Sequence, residues 1–492
     1  MSAVMTLDGL LSGVADAGDA GNMTINGLCL DSRRVRQGEA FVALSGHQHH
    51  GIEFAASARD KGAVMVLAEA PEPENHADGG PTVWINDLSA RLGDLAARFF
   101  AHPGEAMRIT GVTGTNGKTS VVQLLAQAWS CLGHVAASIG TLGAGLHGAL
   151  GSGERTTPDA ISVQALLADF REQGVQEVLM EVSSHALVQG RVNGVPIHLA
   201  VFTNLSRDHL DYHGSMQAYA EAKARLFDWP TLETAVINID DAFGRELAAR
   251  LPERQRRLTV AIEETTADLR AVNLRSHADG FDFDLVSPWG RAHVHTPLLG
   301  RFNVANLLAV AACLGACGVG FAELCGVLGK LQPIAGRMNR IGGSGLPLVV
   351  VDYAHTPQAL EVALQSLRPH TRGGLVCVFG AGGERDAGKR PQMAAVVESL
   401  ADRMIITDDN PRAEDGDAIV ADILAGLNDG AAVQVMRERK EAIASAIRGA
   451  TSDDVVLIAG KGHETTQEDA HGKHPFNDLD VAAQALQGRT SC

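Results

Sequence analysis

The chain has 492 residues, a length that predicts about three domains. Hydrophobic residues make up 45% of it and charged residues 20%, which is enough apolar material for several cores and excludes a disordered chain. A formal net charge of -17 excludes nucleic acid and anionic membrane as partners of the surface as a whole, while still allowing a locally basic cleft.

No Lys or Arg precedes Arg33 and Asp8 comes early, so the first residues are not expected to form a signal peptide. Short β-like runs follow at Ala40 to Leu44, Ala63 to Leu67 and Thr82 to Ile85. A helical pattern from Leu88 to Phe100 stops at His102-Pro103. A strand is expected over Met107 to Val112, then a Gly-rich turn and a helix from Lys118 to about Leu132. Further strands (Val178 to Met180, Leu199 to Phe202, Ala235 to Ile239) and a helix around Met216 to Phe227 continue the alternation that predicts βαβ units and a parallel sheet.

The apolar run within Leu307 to Ala322 is too short for a membrane span and contains Gly315, Gly318 and Gly320, so it is expected to be a buried helix and its turn. Cys313 and Cys317 lack a second pair at zinc spacing and are expected to be core residues. An odd total of seven cysteines fits a reducing cytoplasm. The segment Gly336 to Pro347 reads as a hinge or linker. After it come four apolar strands, each ending in a polar motif: LVVVDYAHTP, LVCVFGAGGERD, MIITDDNPR and VVLIAGKGHE. Ligands of such sheets sit beyond the carboxyl ends of the strands, where all four motifs fall.

The segment ITGVTGTNGKTS, Ile109 to Ser120, carries the most chemistry. Its order of strand, Gly-rich turn and helix brings backbone N–H groups and a helix N-terminus to bear on phosphate. Lys118 is placed to pair with the β- and γ-phosphates, and the Thr119 hydroxyl to reach Mg²⁺. The strict phosphate-loop pattern would need Gly where Val112 stands, so the spacing is a variant. Glu181 ends the strand EVLME, where a carboxylate can hold Mg²⁺ directly or through water, and a solvated strand-end Glu is the bland alternative.

GTNGKT, EVSSHAL, TNLSRDHLDYHG, the Asn303/Asn306 pair, GRM and DYAHTP occur in this order, and together they resemble the Mur ligase family over essentially the whole chain. The resemblance implies an α/β protein of three domains. These are a small uridine-binding domain (1–88), a central phosphate-loop ATPase domain with a parallel sheet (89–336) and a Rossmann-like amino-acid-binding domain (337–492). It implies an ATP-dependent amide-forming ligase of cytoplasmic peptidoglycan-precursor synthesis, working as a monomer. Such an enzyme joins meso-2,6-diaminopimelate to a UDP-N-acetylmuramoyl dipeptide through an acyl phosphate.

Site residues follow from the same resemblance. Gly114, Thr115, Asn116, Gly117, Lys118, Thr119 and Ser120 are expected on ATP, with Asn303, Asn306, Arg337 and Asp352. Mg²⁺ is expected on Thr119, Glu181, His209 and a carbamylated Lys223, although Lys223 by itself looks like a helix-surface lysine and His209 like one histidine of a polar loop. Lys118, Lys223, Glu181 and His209 form the catalytic set. Leu30, Ser32, His47, Gln48 and His49 occupy uridine-side positions; Thr156, Thr157, Ser183, Gln189 and Arg191 occupy muramoyl-dipeptide positions. Arg155 stands where some members have Asn and is left out of the set. Arg385, Asp409, Asn410, Pro411, Arg412, Gly460 and Glu464 are expected around diaminopimelate, with the Arg412 fork on its far carboxylate and Asp409 and Glu464 on its far ammonium. The competing expectations are a lysine-adding Mur enzyme, a folylpolyglutamate synthase-like ligase, or a phosphate-loop phosphotransferase of another class. DNPR and the uridine-type first domain speak against the first two; a phosphotransferase would need neither Lys223 nor an amino-acid pocket.

Overall fold

A computed structural model of the chain describes residues 4–46, 49–74, 80–151, 153, 155–253, 255–277, 280–334, 336–428 and 432–490. The chain divides into two compact units, Met1–Ala267 with Ala312–Cys317, and Asp268–Ala311 with Gly318–Cys492.

The first unit opens with a four-stranded parallel sheet in the order Leu28–Cys29, Ala40–Ala43, Met65–Glu69, Thr82–Ile85. The strands Ala40–Ala43 and Met65–Glu69 are buried throughout, as their continuous apolar runs require when both faces are covered. The helix Leu88–Phe99 turns Leu88, Leu92, Leu95, Ala96 and Phe99 into the core on one side of this sheet. That spacing is the apolar stripe of a helix lying on a sheet.

A larger sheet follows. Six of its strands are parallel, in the order Ala136–Gly140, Glu177–Glu181, Arg108–Thr113, Ile197–Phe202, Thr234–Asn238, Arg256–Ala261. An antiparallel hairpin, Gly143–Leu146 with Ala149–Gly151, extends the first edge. The Arg108–Thr113 strand thus runs through the interior, with Glu181 in register beside Val112 and Phe202 beside Thr113. This register brings the carboxyl ends of three strands to one level, just where the phosphate loop begins. The helix expected to reach Phe227 instead ends at Ala224 and tightens into a 3₁₀ turn over Arg225–Asp228. Pro230 cannot continue a helix, and the Trp229 indole N–H donates to the Val195 carbonyl (2.8 Å), which anchors the turn.

The second unit contains an antiparallel meander, Leu269–His277, Gly280–Ser287 and Gly290–Thr296, beyond the strands expected from sequence. It also holds a six-stranded sheet in the order Asn339–Gly342, Leu348–Asp352, Val455–Ala459, Leu375–Phe379, Arg403–Ile406, Val433–Val435. The four strands expected from sequence are its centre, and all pairs are parallel except the first. The segment read as a linker forms a hairpin instead: Asn339–Gly342 pairs antiparallel with Leu348–Asp352. Gly342, Gly343 and Gly345 sit at positive φ in its turn, a backbone only glycine adopts without cost. Among the described residues, no helix is long and apolar enough to cross a membrane.

Candidate active site

The loop after the Arg108–Thr113 strand is braced from the neighbouring strand end. Thr115 N–H donates to the Asn204 carbonyl (2.8 Å), Asn116 N–H to Asn204 Oδ1 (2.9 Å), and Ser206 N–H to Thr115 Oγ1 (3.0 Å). Gly114 has φ +145°, and a Cβ there would lie 1.9 Å from Thr203 Oγ1, so only glycine lets the two segments meet. The helix Lys118–Cys131 starts at Gly117, which supplies no side-chain cap. Its first N–H groups are therefore left for an anion. Lys118 Nζ spans the loop, donating to the carbonyls of Gly114 (3.0 Å) and Thr115 (2.9 Å). Lys118→Ala is expected to keep the fold and lower turnover by roughly 10²–10³-fold or more, because the charge acts where phosphoryl negative charge develops. Phosphate release beside a circular-dichroism melt tests this; wild-type turnover would remove the loop from the chemistry.

Lys223 is not a surface lysine. It is 1% exposed, its Nζ donates to the Gly114 carbonyl (2.8 Å), and it lies 4.3 Å from the centre of the Tyr219 ring. Lys118 and Lys223 therefore share one carbonyl acceptor. Burial, with the Lys118 charge adding to it, brings the Lys223 amine down to about 6. Tyr219 also reaches the loop, with its hydroxyl 3.2 Å from Thr115 Oγ1.

Glu181 is buried at its strand end and accepts from Thr141 N–H (2.8 Å) and Thr141 Oγ1 (3.2 Å). His209 stands in the left-handed region (φ 52°) ahead of the turn Leu210–His213. Its ring packs edge-on against His185 at 4.8 Å, and its Nε2 is 3.4 Å from Asp208 Oδ2. Among the described residues, no group of three or more His, Cys, Asp or Glu is arranged to hold a metal. A divalent cation at the expected set would need the Thr119 hydroxyl and a modified Lys223 besides Glu181 and His209. That oxygen-rich set, with the near-neutral amine a carbamate requires, fits Mg²⁺.

The five muramoyl-side residues form one hydrogen-bonded group around Glu181. Thr156 Oγ1 meets Thr141 Oγ1 (3.1 Å), and Thr157 Oγ1 donates to the Glu181 carbonyl (2.7 Å). Ser183 N–H donates to Thr157 Oγ1 (3.2 Å), and Arg191 donates to the Thr157 carbonyl (3.0 Å) and to Gln189 Oε1 (2.8 Å). A cleft of about 930 Å³ is lined by Leu30, Arg33, Arg34, Gly140, Arg155 and Asp159, among others. Arg155, left out of the expected set, thus lies on a wall of the cleft that holds Leu30. Ser32 is half-buried and His49 ion-pairs with Glu53 (3.2 Å); neither lines the cleft. His47 and Gln48 lie outside the described residues.

The remaining expected residues belong to the second unit. Asn306 Nδ2 donates to Asn303 Oδ1 (3.0 Å), and Asn303 Nδ2 to the Leu299 carbonyl (2.8 Å). Asp352 accepts from the N–H groups of Met338 (2.8 Å) and Ala354 (2.9 Å), which fixes the turn carrying Arg337. The Arg337 guanidinium lies 5.2 Å from the Tyr353 ring centre.

The residues expected around diaminopimelate gather at the carboxyl ends of the second sheet. Asp409 is buried, which pushes its carboxyl up against the pull of Arg439 and Lys461. Gly460 approaches it closely: a Cβ there would lie 2.3 Å from Asp409 Oδ2. Asn410 Nδ2 donates to Glu464 Oε2 (2.9 Å). Lys461, 0% exposed, donates to both Asn410 Oδ1 (2.9 Å) and Glu464 Oε2 (2.9 Å). Arg412, at φ 55°, donates to the Gly383 carbonyl (2.6 Å) and lies 3.4 Å from Glu468. Pro411 supplies a carbonyl to Glu414 N–H (3.1 Å). The side chain of Arg385 makes a long bond (3.4 Å) to the Glu384 carbonyl.

Three family models match the chain in order. They are the Mur ligase family catalytic domain over residues 24–100, the Mur ligase middle domain over 112–314, and the Mur ligase glutamate ligase domain over 336–462. The UDP-N-acetylmuramoyl-L-alanyl-D-glutamate–2,6-diaminopimelate ligase of Xylella fastidiosa (strain 9a5c) is 53% identical over 473 residues, covering 96% of each chain. The chain belongs to the Mur ligase family. The Pseudomonas aeruginosa ligase of the same name is 49% identical over 466 residues, covering 94% of this chain and 96% of its own. A solved structure of a ligase with that name superposes with a TM-score of 0.75 at 38% identity, covering 99% of both chains. MurF from Acinetobacter baumannii shares the fold, with a TM-score of 0.64 at 18% identity over 98% of this chain and 99% of its own.

In this Mur ligase, three residues of the two clusters escape a reading by motif. Thr141 ties Glu181 to Thr156, Tyr219 covers Lys223, and Lys461 joins Asn410 to Glu464. Lys461 had a local signal, since it lies between Gly460 and Glu464 in AGKGHE. Thr141 had none, because Thr156 and Glu181 are far away in the chain; Tyr219 stands one helical turn before Lys223, but its other partner, Thr115, is distant.

Proposed function

We propose that this Mur ligase adds meso-2,6-diaminopimelate to UDP-N-acetylmuramoyl-L-alanyl-D-glutamate. The observation that carries this reading is the acceptor cluster, in which Asp409, Asn410, Arg412 and Glu464 bring charges of both signs to one set of strand ends. A diamino dicarboxylic acid needs both signs at its far end. Relatives named for this reaction, 49–54% identical over nearly the whole chain, support it.

A carboxylate is a poor electrophile, so it must first be activated. The γ-carboxylate of D-Glu attacks the γ-phosphorus of ATP, and ADP leaves. The neutral amine of the acceptor attacks the resulting acyl phosphate; inorganic phosphate leaves and the amine loses a proton. Lys118 and the first N–H groups of its helix bind the phosphates. Thr156, Thr157, Ser183, Gln189 and Arg191 orient the dipeptide carboxylate, with Leu30, Ser32, His47, Gln48 and His49 on the uridine side. Thr119, Glu181, His209 and the Lys223 carbamate hold Mg²⁺, which when bound neutralises phosphate charge. Arg385, Asp409, Asn410, Arg412, Gly460 and Glu464 receive the acceptor. The same reading divides the chain at about residues 88 and 336 into three domains, and has it work as a cytoplasmic monomer on small molecules.

The test is the mass of the product formed from the UDP-muramoyl dipeptide, ATP and a mixture of amino acids. The expected product is the dipeptide extended by one diaminopimelate, with one ADP per amide. A product carrying lysine overturns the acceptor assignment, and ADP without amide overturns the ligase reading.

A further inference from the structure

The acceptor cluster contains one charge that the proposed reaction does not use. Lys461 carries its ammonium to a place with no solvent exposure, where it meets only part of the carboxylate it serves, since Glu464 remains 31% exposed at its side chain. The Lys461 ammonium and the Asn410 amide both donate to Glu464 Oε2, each at 2.9 Å. Asn410 Oδ1 in turn accepts from Lys461 and from Glu468 N–H (2.9 Å each). One carboxylate oxygen is thus committed to protein donors, and the carboxylate is held in a single orientation.

Beneath this triangle the Arg439 guanidinium forks onto Asp478 (2.8 and 2.7 Å), both fully buried. That arginine also donates to the Ala459 carbonyl (3.0 Å) and, at 3.4 Å, to the Asp408 carbonyl. The groups that face Glu464 are therefore Lys461 and His463 from its own loop, Asp409 and Asn410 from the loop after Arg403–Ile406, Tyr353 from the loop after Leu348–Asp352, and the more distant Arg439.

We infer that Lys461 is a positioning residue for acceptor binding: its buried ammonium is the internal counter-ion that keeps the Glu464 carboxylate charged and aimed at the acceptor's far ammonium. The inference rests on the reading that Glu464 binds that ammonium. Burial works to raise the Glu464 carboxyl, and the Lys461 ammonium and Asn410 amide outweigh it, leaving the group below its usual value. Asp409 faces Glu464 with a second negative charge and is already pushed up by burial. Without Lys461 the two carboxylates would confront each other in a partly desolvated pocket whose remaining buried cation, Arg439, is already forked onto Asp478. One of them would then hold its proton to higher pH than in the wild type, as paired carboxylates do. The pocket would lose a negative partner for the acceptor's ammonium as the pH falls, while the loop around Lys118 shares none of these side chains.

The experiment is calorimetric binding of meso-diaminopimelate and, separately, of ATP to the full chain between about pH 8 and about pH 6. Wild-type protein is expected to bind the acceptor with nearly constant affinity. Lys461→Met is expected to weaken acceptor binding by roughly tenfold per pH unit below the raised carboxyl pKa, with ATP affinity unchanged. Lys461→Gln keeps hydrogen-bond donors without the charge and gives the same slope; it serves if the methionine variant does not fold. In the double variant Lys461→Met/Glu464→Gln the slope should vanish. A flat acceptor profile in both single Lys461 variants overturns the inference, as does an equal loss of ATP and acceptor affinity at every pH, which marks a merely structural lysine. The underlying reading fails differently: Glu464→Gln would then bind the acceptor as well as wild type does.

Discussion

Lys223→Ala is expected to be inactive, with turnover down by roughly 10²–10³-fold or more, and added formate or acetate is expected to restore part of it. The reason lies in where the amine is kept. Its helix, Met216–Ala224, buries it against the Tyr219 ring and aims it at the Gly114 carbonyl, which Lys118 also uses. Burial disfavours the charged form, and the Lys118 ammonium on the same carbonyl adds repulsion, so the Lys223 amine is pushed down to about 6. Above that pH most of it is neutral, and only a neutral amine reacts with CO₂. A carbamate there would replace a repelled cation by an anion with two oxygens, beside the loop that carries Lys118. Modification is favoured as the pH rises through about 6 and reversed as it falls. Alanine removes both oxygens and leaves a hole open to a small carboxylate. Activity with and without formate, and the mass of a gently handled wild-type sample carrying one added CO₂, check this. Full turnover of the alanine variant would sink it, and so would an unmodified lysine in a nucleotide-bound crystal.

Wild-type enzyme is expected to prefer meso-diaminopimelate over L-lysine by roughly 10⁴-fold, the order a site reaches when it rejects a ligand lacking a required polar group. Lysine has no far carboxylate. Arg412 is oriented by the Gly383 carbonyl and by Glu468, so it cannot swing out to water without breaking both contacts. With lysine bound it would lose its bidentate partner, at about 1–3 kcal/mol for each charge-assisted bond left unmade. Arg412→Ala should lose diaminopimelate affinity by roughly 10²-fold and keep ATP affinity. It gains no lysine activity, because deleting the fork creates no contact for the shorter end. Competition between the two amino acids at equal concentration measures the preference directly. Comparable lysine incorporation by wild type would refute the acceptor assignment and leave the ligase standing.

The arrangement of the site was legible in the sequence wherever function rests on contiguous residues. GTNGKT lies between an apolar run and a helix, and the structure has the strand Arg108–Thr113 and a helix from Lys118. The four C-terminal strands with their polar ends were legible for the same reason: a strand buried on both faces is an unbroken apolar run, and its motif follows at once. The meander Leu269–Thr296 was not among the expected strands, although two of its strands alternate: Phe281, Phe283 and Leu285 are buried between Asp282 and Asp284, and Val294 and Thr296 beside exposed His293 and His295. Only Leu269–His277 loses the pattern, being exposed towards its end. The Gly336–Pro347 segment misled because glycines that close a hairpin and glycines that loosen a linker look alike until a partner strand is found.

What only the tertiary structure decided is the state of individual charges. MQAYAEAKA has no apolar stripe, so nothing in it says which side of the helix is buried, and Lys223 reads as solvated until the Gly114 carbonyl comes to meet it across more than a hundred residues of chain. Asn410 and Glu464 likewise become one unit only when the Arg403–Ile406 and Val455–Ala459 strands bring their loops together around Lys461. A motif specifies which groups are present through local backbone geometry. Whether a group is charged depends on desolvation and on partners within a few ångströms, and those are set by the packing of segments far apart in the chain.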